Sequence, residues 1–224
     1  SAFNAIGTDD HIRALVLRAH GPSFSAGADA NWMRRMAGYD EAENLQDAKA
    51  LAALMATIDG LPKPVIARVQ GPAIGGGVGL VACSDIVVAA ETAFFQLSEI
   101  KLGLTPATIS PFVIRAIGGR AARRYFLSAE RVDATTAQRL GLVHEVVAED
   151  ALDGAVDALI GYLRKAGPEA LAQSKQLVAM VRDQDPGQMA DATAQQIAQL
   201  RVGAEAQEGL SAFLEKRKPS WVVE

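Results

Sequence analysis

With 224 residues, 50% of them hydrophobic and 21% charged, the chain can bury a substantial core as one large domain or as one domain with a helical appendage, and its composition excludes disorder. A net charge of −4 argues against a general nucleic-acid binder, while leaving room for a local basic patch that meets an anionic ligand. No apolar run reaches the roughly 18 residues of a membrane span, and the polar, glycine-containing start lacks the apolar stretch of a secretory signal, so a cytoplasmic protein without a membrane partner is expected.

In chain order, the β-branched and leucine run at 13–18 reads as a strand buried in a sheet, ending at the turn His20-Gly21-Pro22. The turn Ser25-Ala26-Gly27-Ala28-Asp29 follows and leads to a charged helix. At 40–58 apolar residues recur at helical spacing (Leu45, Ala48, Leu51, Ala52, Met55) up to the stop Asp59-Gly60-Leu61-Pro62. A strand at 64–69 leads to Gly75-Gly76-Gly77-Val78-Gly79 and a short apolar helix at 78–83. That helix carries the single cysteine, Cys83, which reads as a buried structural thiol and suits a reducing compartment. Short strands at 85–90, 93–97 and 142–147, with helices between them and over 133–140, complete an α/β pattern. From Glu149 strand signals vanish and alanine-rich helices take over, broken at Gly167-Pro168 and Asp185-Pro186-Gly187. The expected division is therefore an α/β core over 1–148 and a C-terminal helical region over 149–224, with Ala190, Ala194, Ile197 and Ala198 on a helix-packing face.

The two glycine-bearing turns each follow a strand-like run, and together they suit an oxyanion hole. A developing enolate or tetrahedral oxygen needs two preorganised donors, and backbone N–H groups supply them where no side chain blocks approach. At a helix start, unpaired N–H groups and the dipole add to this. The triple glycine is not a dinucleotide fingerprint, because Leu80 stands where the last glycine should fall, and it lacks the Lys-Ser/Thr of a phosphate loop. His11, His20 and His144 have no cysteine or acidic residue at metal-ligand spacing, so no metal is implied. Neither Ser25 nor Ser98 sits in a nucleophile elbow, which disfavours a serine hydrolase. Aromatic residues are too few for a nucleic-acid stacking platform.

Three segments in this order, Phe24 to Asp29, Pro64 to Gly77 and Ser98 to Pro106, resemble the crotonase family of enoyl-CoA hydratases and isomerases, and the resemblance runs from about Ile12 to Trp221. Asn31-Trp32-Met33, the run Ala107 to Phe112 and the tail Glu208 to Arg217 are most similar to hydratases of methylglutaconyl-CoA and related branched glutaconyl thioesters. The resemblance implies a spiral of ββα repeats with a C-terminal helical trimerisation region, and trimers that pair into hexamers. It implies an acyl-CoA thioester as the partner, with CoA as part of the substrate and no cofactor. Family members carry strands and a helix ahead of the strand at 13–18, so sequence is expected to be missing on both sides of Ser1-Ala2-Phe3-Asn4, in a region that contacts the CoA nucleotide.

By the same resemblance, the backbone N–H groups of Ala28 and Gly76 polarise the thioester carbonyl, and Glu99 transfers the proton. Read locally, Glu99 is a carboxylate at a helix start; its apolar company also favours desolvation and a raised pKa, which suits proton transfer. Ser25 and Ala26 are carried over as backbone contacts near the adenine end, Gly75 as a substrate contact, and Asp29 as a turn or helix cap. Trp32, Met33 and Met36 would wall the acyl pocket, or else pack an ordinary helix face. Arg34 and Arg35 would meet a distal carboxylate, and Arg123 and Arg124 the CoA 3′-phosphate, each with a solvated surface as the alternative. Phe213 and Lys216 share one helical face that would reach the CoA of a neighbouring subunit or form an amphipathic tail. One departure stands out: the best-known hydratases of the family carry a second glutamate where this chain has Gly79. The glycine is expected to leave space for a branched or carboxylated acyl chain. A single carboxylate also suits an isomerase, and a non-catalytic acyl-CoA binder is the remaining alternative.

Overall fold

The structure is a computed structural model that describes residues 2–222. Ser1, the first residue of the segment flanked by the expected gaps, lies outside the described residues. Helix α1 (Ala2–Thr8) opens the chain, followed by strand β1 (Leu15–Leu17), α2 (Ala30–Met36) and α3 (Glu41–Asp59). Asp40 and Glu43 start α3 with a reciprocal capping box, in which each carboxylate accepts the other residue's backbone N–H, at 2.8 and 2.9 Å. Next come β2 (Val65–Val69), β3 (Ala73–Ile74), α4 (Gly76–Ala82), β4 (Ile86–Ala90) and β5 (Phe94–Gln96). A 3-10 turn over Glu99–Leu102 leads to α5 (Ser110–Ser128), which breaks at Gly118, a residue with non-helical φ 75 and ψ 154. Then β6 (Val132–Asp133), α6 (Ala134–Leu140) and β7 (Glu145–Val147) close the strand-bearing part, and α7 (Leu152–Lys165), α8 (Pro168–Val181), α9 (Pro186–Val202) and α10 (Ala204–Leu214) follow.

The strands form two sheets, one ordered β1-β2-β4-β7 and one ordered β3-β5-β6. Strand β4 is parallel to both β2 and β7, as helical crossovers require, and lies between them, which suits its unbroken apolar wording; β2 is apolar except for the half-buried Arg68. Val65, Ile66, Val69, Val87 and Val88 are buried there. β1 is only half-buried along its length, unlike the buried strand expected at 13–18. The strand expected at 142–147 is confined to its last three residues, because Gly141, in the left-handed region, turns the chain after α6 and spends Leu142 and Val143 on packing.

Two compact units emerge from the contacts, one of residues 16–59 and 65–157, the other of residues 1–15, 60–64 and 158–224. The core expected over 1–148 thus takes in the first turns of α7, while the start of the chain groups with the C-terminal helices. Within that helical unit, proline at the first turn of α8 and of α9 sets both expected breaks. The Glu205 carboxylate caps α8 by accepting the N–H groups of Glu169 and Ala170, at 2.9 and 2.8 Å. Arg13 donates to the carbonyls of Ala166 and Trp221, at 2.6 and 3.2 Å.

Candidate active site

Strand β3 runs parallel to β5, with Ala73 opposite Phe95 and Ile74 opposite Gln96. Ser25 lies on the other side of β3 in a parallel bridge to Ala73. Three segments distant in sequence therefore leave one sheet edge in the same direction, the edge at which open parallel sheets place their ligands. The first leads to Ala28, the second to Gly75 and Gly76, the third to Ser98 and Glu99. Ser25 N–H donates to Pro72 O and Ile74 N–H to Ser25 O, both at 3.0 Å, while Gly75 N–H donates to Gln96 O at 2.9 Å. Backbone hydrogen bonds thus fix all three against one another.

Helix α4 starts at Gly76, two residues earlier than its apolar wording suggests. Gly75 makes the strand-to-helix turn by itself, at φ 56 and ψ −120, which L side chains rarely adopt. Gly76 is consequently the first helical residue, whose N–H has no intrahelical acceptor. Ala28 stands three residues past Ser25, as Gly76 does past Ala73, and among the described residues its N–H meets no acceptor. Space as well as angle dictates the glycines. A Cβ on Gly77 would lie 2.7 Å from Ser25 Oγ, so the two motif turns touch only because Gly77 has none.

Glu99 opens the 3-10 turn beside this edge. Its Oε1 lies 3.2 Å from where a Cβ on Gly75 would stand, and its Oε2 is buried with no hydrogen-bond partner. Desolvation by burial pushes its pKa up, against a smaller downward pull from its own backbone N–H. A carboxylate with one buried oxygen left without a partner can accept and return a proton. Gly75→Ala should consequently hit the site twice, straining the turn by roughly 1–3 kcal/mol and crowding Glu99. A fall in activity together with a lower thermal midpoint is the expected result, and unchanged kcat in a stably folded variant would contradict it.

The remaining sequence candidates divide. Asp29 is the N-cap of α2, its carboxylate accepting Trp32 N–H at 2.8 Å, so it fixes the exit from the first turn. Trp32 is half-buried and its indole N–H donates to Asp47 at 3.1 Å, which pins α2 to α3; Met33 and Met36 are also half-buried. Ser25 is half-buried and Ala26 exposed. Arg34 donates to the Asn31 side chain at 2.6 Å, and Arg35 is exposed. Arg124 forms a two-pronged ion pair with Glu130, at 2.7 and 3.0 Å, rather than standing ready for a phosphate, and Arg123 is exposed. Phe213, 80% exposed, and Lys216 belong to the helical unit, but they do not share a helical face as expected, because α10 ends at Leu214 and Lys216 turns out of it at φ 55.

The room expected beside Gly79 is already filled. A Cβ there would overlap the Ile109 side chain, lying 2.9 Å from its Cβ, and would stand 3.1 Å from Met55 Cε. Gly79 is buried in α4, and Ile109 and Met55 are buried against it. The glycine thus admits protein packing rather than an acyl chain. Sequence reading quoted Ile109, which sits just before α5, only within the run Ala107 to Phe112 and gave it no packing role against Gly79.

Among the described residues, no group of three or more His, Cys, Asp and Glu is placed to hold a metal ion, and no helix is long and apolar enough to cross a membrane.

The family profile described as enoyl-CoA hydratase/isomerase matches residues 1–223. A solved enoyl-CoA hydratase from Shewanella pealeana superposes with a TM-score of 0.94 at 48% identity, covering 98% of this chain and 83% of that one. The 2,3-dehydroadipyl-CoA hydratase of Escherichia coli is 36% identical over 222 residues, 98% of this chain and 84% of its own length. Crotonyl-CoA hydratase of Syntrophomonas wolfei is 30% identical over 223 residues, 99% of this chain and 85% of its own length. A profile matched along nearly the whole chain and a fold shared at 48% identity agree: the chain belongs to the enoyl-CoA hydratase/isomerase family and has the crotonase fold.

Proposed function

We propose that the protein is an enoyl-CoA hydratase, adding water reversibly across the α,β double bond of an acyl-CoA thioester. The observation that carries this reading is the buried, unpartnered Glu99 Oε2 at the edge where Ala28 and Gly76 offer unpaired N–H groups. Glu99 takes a proton from water as the oxygen adds to the β-carbon. Negative charge passes to the thioester oxygen, where the N–H groups of Ala28 and Gly76 stabilise it, and the α-carbon then recovers the proton from Glu99. One carboxylate serving both steps delivers water's oxygen and hydrogen to the same face. The chemistry calls on no metal or redox cofactor, because every step moves a proton or an electron pair. Ser25, Ala26, Asp29, Trp32 and Gly75 support the substrate around these groups.

A branched or glutaconyl-type acyl group is the substrate class favoured. Its supports are the wording around Trp32 and the tail at 208–217, together with a relative named for 2,3-dehydroadipyl-CoA, itself a carboxylated enoyl thioester. Phe213 and Lys216 are assigned to the CoA of a neighbouring subunit. The test is to incubate the protein with a panel of linear, branched and carboxylated enoyl-CoA esters and follow product mass and double-bond position. Mass gain of one water supports the reading. A shifted double bond at constant mass identifies an isomerase, and an unchanged panel with retained binding identifies a binder.

Assembly as a trimer or a hexamer belongs to the same proposal. Tyr162, Val202, Phe213 and Leu214 are 71%, 80%, 80% and 77% exposed, apolar area that a subunit contact would cover. Sedimentation at micromolar concentration should give three or six times the chain mass, and a monomer would refute it.

A further inference from the structure

The loop from Ala19 to Ser23, which delivers the first motif turn, is held by a side chain from the second motif. Gln70 follows β2, and the two N–H bonds of its Nε2 are shared among three carbonyls, Ala19 and Gly21 at 3.2 Å and Ser23 at 3.0 Å. Three acceptors around one amide nitrogen fix the sense of the amide, and its Oε1 is buried without a partner. Next to it, a Cβ on Gly71 would collide with Pro22 O, so the loop backbone rests directly on residue 71. Pro72 O then accepts Ser25 N–H, and Ala73 makes the parallel bridge. Four consecutive residues, 70–73, therefore hold the first loop along its whole length, and Gln70 is the one among them that acts through side-chain hydrogen bonds.

We propose that Gln70 is a positioning residue for the Ala28 oxyanion donor: its amide, shared among three loop carbonyls, holds the segment whose continuation carries the Ala28 N–H beside that of Gly76. This rests on the oxyanion reading given above. The Gly76 donor needs no such brace, because it is built into the first turn of α4. Ala28 lies in an exposed turn between Ser25 and the Asp29 cap, so the loop ahead of it sets its place. An oxyanion donor must stand where charge develops, and a displacement of about 1 Å can cost on the order of a hundredfold in rate.

The test compares the parent with Gln70→Met, which keeps length but removes the donor, and with Gln70→Asn, which keeps the amide but draws it back by one methylene. Turnover of an active enoyl-CoA ester should fall about 10- to 100-fold in Gln70→Met with KM within about threefold, because the displaced donor matters most when charge has developed. Gln70→Asn should lie between that variant and the parent. The direct readout is the red shift of 2,4-hexadienoyl-CoA absorption on binding, which reports polarisation of the thioester carbonyl. The parent should show it, and Gln70→Met should bind the ester with a diminished shift. An undiminished shift with parental kcat, even at a lowered thermal midpoint, would make Gln70 a stabilising residue only and overturn the proposal. If Gln70→Met does not fold, Gln70→Asn carries the same comparison. A parent that binds the probe without any shift would overturn the oxyanion reading itself, and this proposal with it.

Discussion

Glu99→Gln is expected to reduce turnover by a factor on the order of 10² to 10⁴ while leaving binding of the CoA ester nearly intact. The substitution keeps the shape that packs on Gly75 and removes only the group that titrates. Its effect on the fold should run the other way. Burial raises the Glu99 pKa above its unfolded value, so the folded protein holds the proton more tightly. Ionising this side chain consequently costs stability, a cost that sets in as pH rises from the ordinary carboxylate range through the raised pKa. Glutamine never ionises, so the variant should melt higher than the parent at neutral pH, with the advantage vanishing in acid. Turnover of the parent should decline as pH falls through that raised pKa, because the water-activating form is the carboxylate. Thermal melts and kcat profiles over the acid range check both halves; parental turnover in the variant would remove Glu99 from the reaction.

Gly79→Glu should abolish activity on linear and branched esters alike, and should destabilise the protein. Even the first carbon of the new side chain overlaps Ile109 and presses on Met55. Overpacking of this kind costs about 1–3 kcal/mol before the carboxylate itself is considered, and an unpaired carboxylate in that apolar surround adds a desolvation cost. Gly79→Ala should already show the steric part as a lower thermal midpoint. Pairing Gly79→Glu with Ile109→Ala removes the overlapping side chain and should recover part of the lost stability, a coupling that a double-mutant cycle measures. If Gly79→Glu alone folds like the parent and gains activity on a linear ester, the packing account is wrong.

How far the sequence foretold this site depends on the kind of interaction involved. The strand at 64–69, the helix at 40–58 and the proline-led breaks at 168 and 186 rest on local pattern and chain stiffness, and the structure places them within a residue or two. Strands β3 and β6, with two residues each, carry too few alternating positions to betray themselves. Glycine wording announced the tight turn but not the reason for each glycine: Gly75 answers to a backbone angle, Gly77 to Ser25, Gly79 to Ile109. The last case misled, because an absent side chain reads as free space until its distant neighbour is known. Gln70 was quoted within a motif yet gave no hint of its role, since its three acceptors lie in another segment of the chain.

The parallel bridge between Ser25 and Ala73 bears on how the enzyme fails under heat. It is a lone bridge outside the named strands, held by two backbone hydrogen bonds, whereas β2 and β4 share a four-residue register inside a larger sheet. The stretch before Ala28 can open while the main sheet stays closed, since local opening needs far less free energy than global unfolding. Amide exchange at Ser25 and Ile74 should therefore be faster than at Ile66 to Val69. Warming should extinguish catalysis reversibly below the temperature at which secondary structure melts, which would place the upper limit of activity at one short seam rather than in the core.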